Sequence, residues 1–272
     1  MDEISSFNQF SWDELVRRGV VYARPFLNLT PETARQFLDP DNTMLGDLTG
    51  RNVLCLASAG GQQSAAFAML GAKVQVIDIS EGMLDGDRKA AAHYGFSIGI
   101  HQGDMRDLSR FSDASFDLVW HPYSINFIPD PRPVWSEVAR VLRPGGNYYF
   151  QFHNPYLHGL SEEEWDGKGY PLRHHYVDGS EIEEPEWTFQ DPQGNEQRLH
   201  GPRAFRHSTA TVINELSALG FLFLRMWEEV GQDPDAEPGS WEHFTRVAPP
   251  WLTLWTAYQP DLMKGLSRKA GA

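Results

Sequence analysis

Apolar runs broken by polar and glycine punctuation divide the chain into a regular alternation. Val53 to Ser64 (VLCLASAGGQQS) passes from an apolar run through small residues into a polar, helix-like segment, which predicts a buried strand, a tight turn and a helix start. Gly71 ends that helix, and Lys73 to Ile79 (KVQVIDI) reads as a second buried strand. Ser80 then caps a helix running to His93 or Tyr94, with Gly95 as its stop. A third strand covers Ser97 to His101, and a fourth covers Phe116 to Trp120 (FDLVW) before His121-Pro122-Tyr123-Ser124. Asp130 and Pro131 open a helix whose Val134, Val138, Val141 and Leu142 share one face, and RPGG closes it ahead of a fifth strand, Asn147 to His153. Strand and helix in alternation call for a mostly parallel sheet with helices on both faces.

The flanks follow other rules. Residues 1–50 read as an N-terminal helical lid or buttress, with Ser11 and Glu14 forming a capping box and Thr30-Pro31 starting a second helix. Trp12, Leu15 and Val16 lie at core-forming helical spacing there, and Tyr22 is the residue of this segment expected to reach a cofactor. Residues 51–153 are expected to form the cofactor-binding core. Over residues 154–207 the alternation stops in a loop-rich insertion, expected to cap the acceptor side, which holds Trp165, Tyr170, His174, His175, Tyr176 and Trp187 among many acids. Residues 208–272 complete the same single domain, with a helix from Ser208 to Gly220 and two strands, Phe221 to Trp227 and Trp251 to Tyr258, separated by a Pro/Gly-containing loop and expected to pair antiparallel.

Composition narrows the partners. A length of 272 residues suffices for one substantial core. The formal charge of -14, with no basic stripe, argues against nucleic acid and leaves small molecules as the expected partners. The one cysteine, Cys55, lies inside an apolar run, so no disulfide framework is possible and a reducing cytoplasm is the expected compartment. No apolar run reaches the length a bilayer requires, so no membrane partner is expected, and the chain is read as a monomer or homodimer.

The candidate chemistry gathers at strand ends. Small residues after the first strand let a ligand approach the backbone, and the first free amides of the next helix donate hydrogen bonds, as in a nucleotide-type cofactor loop. Asp78, at the second strand's tip and roughly 20 residues beyond that turn, stands where a ribose hydroxyl is bound. His174-His175 is not read as a metal site, because adjacent side chains diverge and no i, i+4 histidine or cysteine ligand supports one. A nicotinamide oxidoreductase shares the loop and the ribose acid, and so stands as an alternative at this point.

Seven strands ending in a hairpin, Asp78 and Asp104 at the second and third tips, and VARVLRPGG before the fifth strand together resemble the class I S-adenosylmethionine-dependent methyltransferases. The resemblance covers roughly Leu48 to Phe152 and, as architecture, Ser208 to Tyr258. The Gln pair after the glycines is similar to that of a small-molecule methyltransferase-like bacterial subgroup. This family implies an α/β, Rossmann-like seven-stranded sheet with helices on both faces and an antiparallel last strand. It also implies S-adenosyl-L-methionine as methyl donor, S-adenosyl-L-homocysteine as product and in-line transfer to a small organic acceptor.

Carried over by position, Ala57, Ala59 and Gly61 fall where the family has three glycines, and Cys55 falls on its customary acid. The alanines keep the backbone approachable provided their φ values are negative. Ser58, Gly60, Gly61, Gln62 and Gln63 are then expected at the donor's methionine end, Asp78 at its ribose, and Ile79 with Met83 or Leu84 beside the adenine. Asp104 is expected to accept from the adenine amino group, with Met105 as its apolar neighbour. His121 would face the methyl group as a base or orienting residue, with Tyr123 beside it. His121-Pro122-Tyr123 partly resembles the Asn/Asp-Pro-Pro-aromatic motif of methyltransferases acting on nucleic-acid amino groups, but lacks the leading amide or acid and the second proline. The aromatic and acidic cap suits a planar or cationic acceptor. A non-catalytic S-adenosyl-ligand-binding or scaffold protein of the same fold is the other alternative.

Overall fold

The apolar tracts pair edge to edge as one seven-stranded sheet in the computed structural model, which describes residues 1–182 and 186–262. Its members are β1 (Asn52–Leu56), β2 (Lys73–Asp78), β3 (Ile98–Gln102), β4 (Phe116–His121) and β5 (Leu142–His153), then β10 (Phe221–Glu228) and β11 (Trp251–Tyr258). The order is β10-β11-β5-β4-β1-β2-β3. β1 to β5 run parallel, and β11 is antiparallel to both its neighbours. This is the Rossmann-like fold expected from the sequence.

The helices are α1 (Glu3–Arg17), α2 (Pro31–Leu38), α3 (Gln63–Met69), α4 (Glu81–Tyr94), α5 (Arg132–Val141), α6 (Thr209–Leu219) and α7 (Trp241–Val247). β1 is apolar without alternation because it is covered on both faces. Leu54 and Leu56 pack with Trp135 and Val138 of α5 and Val212 and Leu216 of α6, whereas Val53 and Cys55 pack with Ala34 of α2, Phe67 of α3 and Leu84 of α4. Ser80 caps α4 by accepting from the Met83 amide, and Gly95 ends it in the left-handed conformation. Among the described residues no helix is long and apolar enough to cross a membrane.

Three sequence expectations change. Ser11 and Glu14 do not start a helix: α1 begins at Glu3, and Asp2 caps it by accepting from the Ser5 amide at 2.8 Å. The buried stripe of α1 is Ser5, Asn8, Ser11 and Leu15, too polar to register as an amphipathic pattern, and Glu14 pairs with Arg17 and Arg18 instead. RPGG lies inside β5, where the register against β4 shifts. The connection from β10 to β11 carries α7 rather than a plain loop.

The insertion is also more ordered than loop. It contributes β6 (Glu181–Ile182) paired with β9 (Ala204–Phe205), and β7 (Trp187–Gln190) paired with β8 (Glu196–Leu199).

Candidate active site

Parallel strands bring the carboxyl ends of β1, β2, β3 and β4 to one edge, the place where open α/β sheets bind ligands. Leaving β1, the chain turns at Ala57, whose φ of 44° is left-handed. The expectation of a negative φ is therefore corrected. The Ala57 amide donates to the Ile77 carbonyl of β2 at 2.8 Å, which fixes the turn at a cost of about 1–2 kcal/mol for a residue with a Cβ. Gly60 and Gly61 follow at φ 119° and 76°. A Cβ on Gly60 would stand 2.7 Å from the Tyr22 carbonyl oxygen, so glycine is required there for space as well as for conformation.

Two buried carboxylates hold this loop. Asp78 Oδ2 accepts from the Ala59 amide at 3.3 Å, and Asp78 Oδ1 accepts from the Ser80 amide at 2.9 Å. Burial pushes the Asp78 carboxyl up to about 6, against the pull of those amides, and Asp13 of α1 adds to the rise. Asp87 of α4 accepts from the amides of Gly60 at 3.0 Å and Gly61 at 3.2 Å and from the Ser64 hydroxyl. Burial raises Asp87 to about 7, and the Asp78 charge contributes. The sequence reading missed Asp87 among the charges of α4, Asp85, Arg88 and Lys89. Its position three and four residues from Leu84 and Met83, on the buried face, is the signal that was available.

The other expected donor residues are placed as follows. Ser58 is buried, and its Oγ has no hydrogen-bond partner among the described residues. Gln62 Nε2 donates to the carbonyls of Val21 and Arg24, tying the N-terminal segment to the loop, while Gln63 is the first, half-buried residue of α3. Tyr22 sets its backbone against Gly60, and its ring meets Trp187 edge-on at 6.5 Å. Met83 is buried and Ile79 half-buried. Ile79 also lines a cavity of about 630 Å³ with Gln102, Gly103, Asp104 and Arg106. Asp104 Oδ2 lies 2.6 Å from Arg106 Nη2 and accepts from Ser5 Oγ at 3.1 Å. Burial raises the Asp104 carboxyl, but the Arg106 contacts more than offset it and leave it below its ordinary value. Met105 packs, partly buried, against the core.

At the β4 tip the two candidate catalytic residues part. His121 is fully buried, with Nδ1 2.8 Å from the Tyr148 hydroxyl and Phe150 beside the ring. Burial pushes its pKa down to about 3, so the imidazole is neutral at working pH. Side chains alternate along a strand. Trp120 therefore turns toward Phe67 of α3, and His121 turns into the core beneath α5. That placement gives no support to a general base at His121.

Tyr123 instead faces outward, held at a left-handed φ of 59°. Its hydroxyl donates to Glu229 Oε2 at 3.1 Å, and its ring lies edge-on to Trp251 at 4.6 Å. Burial and the Glu229 charge raise its pKa. Glu229, just past β10, is the second residue that the sequence reading missed.

A buried carboxylate at the β2 tip, an orphan hydroxyl in the β1 turn and glycines packed without room for a Cβ fit a nucleoside-type ligand at this edge. Residues 54–150 match the family described as "Methyltransferase domain". Over 241 residues the chain is 31% identical to the uncharacterized methyltransferase YbaJ of Bacillus subtilis (strain 168), covering 85% of this chain and 92% of that protein. It is 30% identical over 143 residues to a ubiquinone biosynthesis O-methyltransferase of Idiomarina loihiensis, covering 50% of this chain and 59% of the relative. Among solved structures, an S-adenosylmethionine-dependent methyltransferase from Mesorhizobium loti shares the fold with a TM-score of 0.58 at 18% identity, covering 85% of this chain and 100% of the other.

The chain belongs to the class I S-adenosylmethionine-dependent methyltransferase family. Its methyl donor is S-adenosyl-L-methionine, and the nicotinamide alternative is set aside.

Proposed function

We propose that this methyltransferase transfers its methyl group to a small organic acceptor seated against Tyr123, Trp251 and Glu229. The observation that carries the reading is Tyr123: a left-handed backbone directly after β4 holds its ring and hydroxyl outward at the sheet edge, bonded to a carboxylate from the far end of β10. Strain of this kind in a residue other than glycine persists where the surroundings over-determine it, commonly at binding sites. The ubiquinone-biosynthesis relative and the -14 charge favour a small molecule over nucleic acid.

When bound, the donor supplies an electrophilic methyl carbon on a sulfonium. Asp78 would accept from the ribose hydroxyls, Asp104 would orient the adenine, Ile79 and Met83 would cover it, and Ser58 Oγ would meet the methionine end. The Tyr123 and Trp251 rings orient the acceptor and exclude water. Tyr123 and Trp251 would hold the acceptor's lone pair in line with that carbon, opposite the sulfur that leaves. Glu229 takes the proton of a protic acceptor.

The test is a screen of small-molecule and nucleic-acid extracts with donor labelled in its methyl group. Label recovered in a low-molecular-weight product, and lost with Tyr123→Ala, supports the reading. Label recovered only in RNA or DNA contradicts it.

A further inference from the structure

We propose that Gly86 and Asp87 of α4 form a latch that sets the shape of the donor loop, with Asp87 a positioning residue for S-adenosyl-L-methionine. The two residues act in different ways at the same spot. Gly86 lets the loop touch the helix backbone: a Cβ there would stand 2.6 Å from the Gly60 carbonyl carbon and 2.8 Å from its Cα. Asp87 then takes the two amides that this approach brings inward, those of Gly60 and Gly61, together with the Ser64 hydroxyl at the start of α3. Glycine inside a helix costs about 1 kcal/mol relative to alanine, so its presence at 86 calls for a compensating contact, and the loop supplies it.

The latch bears on the donor through Asp78. Three consecutive amides of the loop, from Ala59 to Gly61, point at carboxylates, the first at Asp78 and the next two at Asp87. Releasing the second pair frees the loop to drag the first, and with it the carboxylate assigned to the ribose. Asp87 itself is fully buried and acts through the loop amides it holds, which makes it a positioning group.

Its grip depends on charge. An ionised carboxylate accepts from all three donors, whereas a proton on one oxygen turns that oxygen into a donor and displaces an amide. Around Asp87 stand the Cys55 thiol of β1, held in its neutral form by burial and by the Asp87 charge, then Asp78 of β2 and Ser64 of α3. On its own helix, Arg88 pairs outward with Glu81 and Asp85. No arginine or lysine pairs with Asp87 among the described residues. Donor affinity is therefore expected to rise with pH as Asp87, lifted to about 7, loses its proton.

The proposal rests on the donor assignment, and calorimetry with S-adenosyl-L-homocysteine separates the two. Wild type that fails to bind overturns the donor assignment; wild type that binds, with variants that bind equally well, overturns only the latch. Asp87→Asn is expected to weaken binding at about pH 8 by at least about tenfold and to flatten the rise between about pH 5.5 and 8.5. Its melting temperature at the upper pH is expected to be unchanged or higher, because a buried charge is gone. Gly86→Ala is expected to weaken binding by a similar factor despite its better helix propensity. Binding within about twofold of wild type in either variant, an unaltered pH profile in Asp87→Asn, or a fall in its melting temperature that accounts for the lost affinity overturns the latch.

Discussion

His121 Nδ1 and the Tyr148 hydroxyl lie 2.8 Å apart in the apolar layer between β4, β5 and α5, with neither side chain exposed. Their bond satisfies two polar groups that would otherwise be costly to bury. His121→Phe leaves the tyrosine hydroxyl without this partner and is expected to lower stability by about 1–3 kcal/mol, read from urea unfolding. The pH profile of turnover is expected to keep its shape. A lost ionisation in that profile, with stability intact, would restore His121 as the base.

Buried acids and the buried histidine respond to pH in opposite senses. His121 is depressed to about 3, so its contribution is present above the ordinary histidine range and is lost as pH falls toward 3. Asp78 and Asp87 are raised to about 6 and 7, so their contribution is present below the ordinary carboxylate range and is lost as pH rises through those values. The stability of Asp87→Asn relative to wild type is therefore expected to increase from about pH 5 to about pH 8 in paired denaturation curves. A constant difference would show that Asp87 is not raised.

Ala57 carries left-handed strain that glycine does not. Ala57→Gly removes about 1 kcal/mol of it and gives back a comparable amount as unfolded-chain entropy, so stability is expected to be unchanged or slightly higher. Ala57→Val, β-branched at a positive φ, is expected to lose more than about 2 kcal/mol. Thermal melts of the two variants check the ordering, and equal stabilities would contradict the turn geometry.

Tyr123 and Glu229, joined by a hydrogen bond of 3.1 Å, are the pair proposed to serve the acceptor. Tyr123→Phe and Glu229→Gln are each expected to reduce turnover about tenfold or more, a loss of about 1.4 kcal/mol in transition-state stabilisation. Affinity for S-adenosyl-L-homocysteine should stay within about twofold. A matched loss of both would move the pair to the donor site.

The sheet, its order of elements and the caps at Thr30, Ser80, Gly95, Ser208 and Gly220 were legible because periodicity and capping are local properties. The strand ends were legible too: Asp78 closes β2, and Asp104 follows two residues after β3, whose boundaries the sequence marks. His121 was harder to place. Whether the last residue of β4 faces a ligand or the core depends on strand parity, and a tip one residue longer than FDLVW turns the imidazole beneath α5. The start of α1 was hidden by its polar buried stripe, and Asp87 by neighbouring charges on an exposed helix face. Glu229 meets Tyr123 across 106 residues, a contact that β10 and β11 create and no local pattern encodes.

The central claim is that the β1 turn and the β2 tip bind S-adenosyl-L-methionine through Asp78. Calorimetric titration of wild type and Asp78→Ala with S-adenosyl-L-homocysteine tests it most directly. The account predicts saturable binding by wild type and at least about tenfold weaker binding by the variant, a loss of at least about 1.4 kcal/mol. Equal affinity in the two proteins would contradict it.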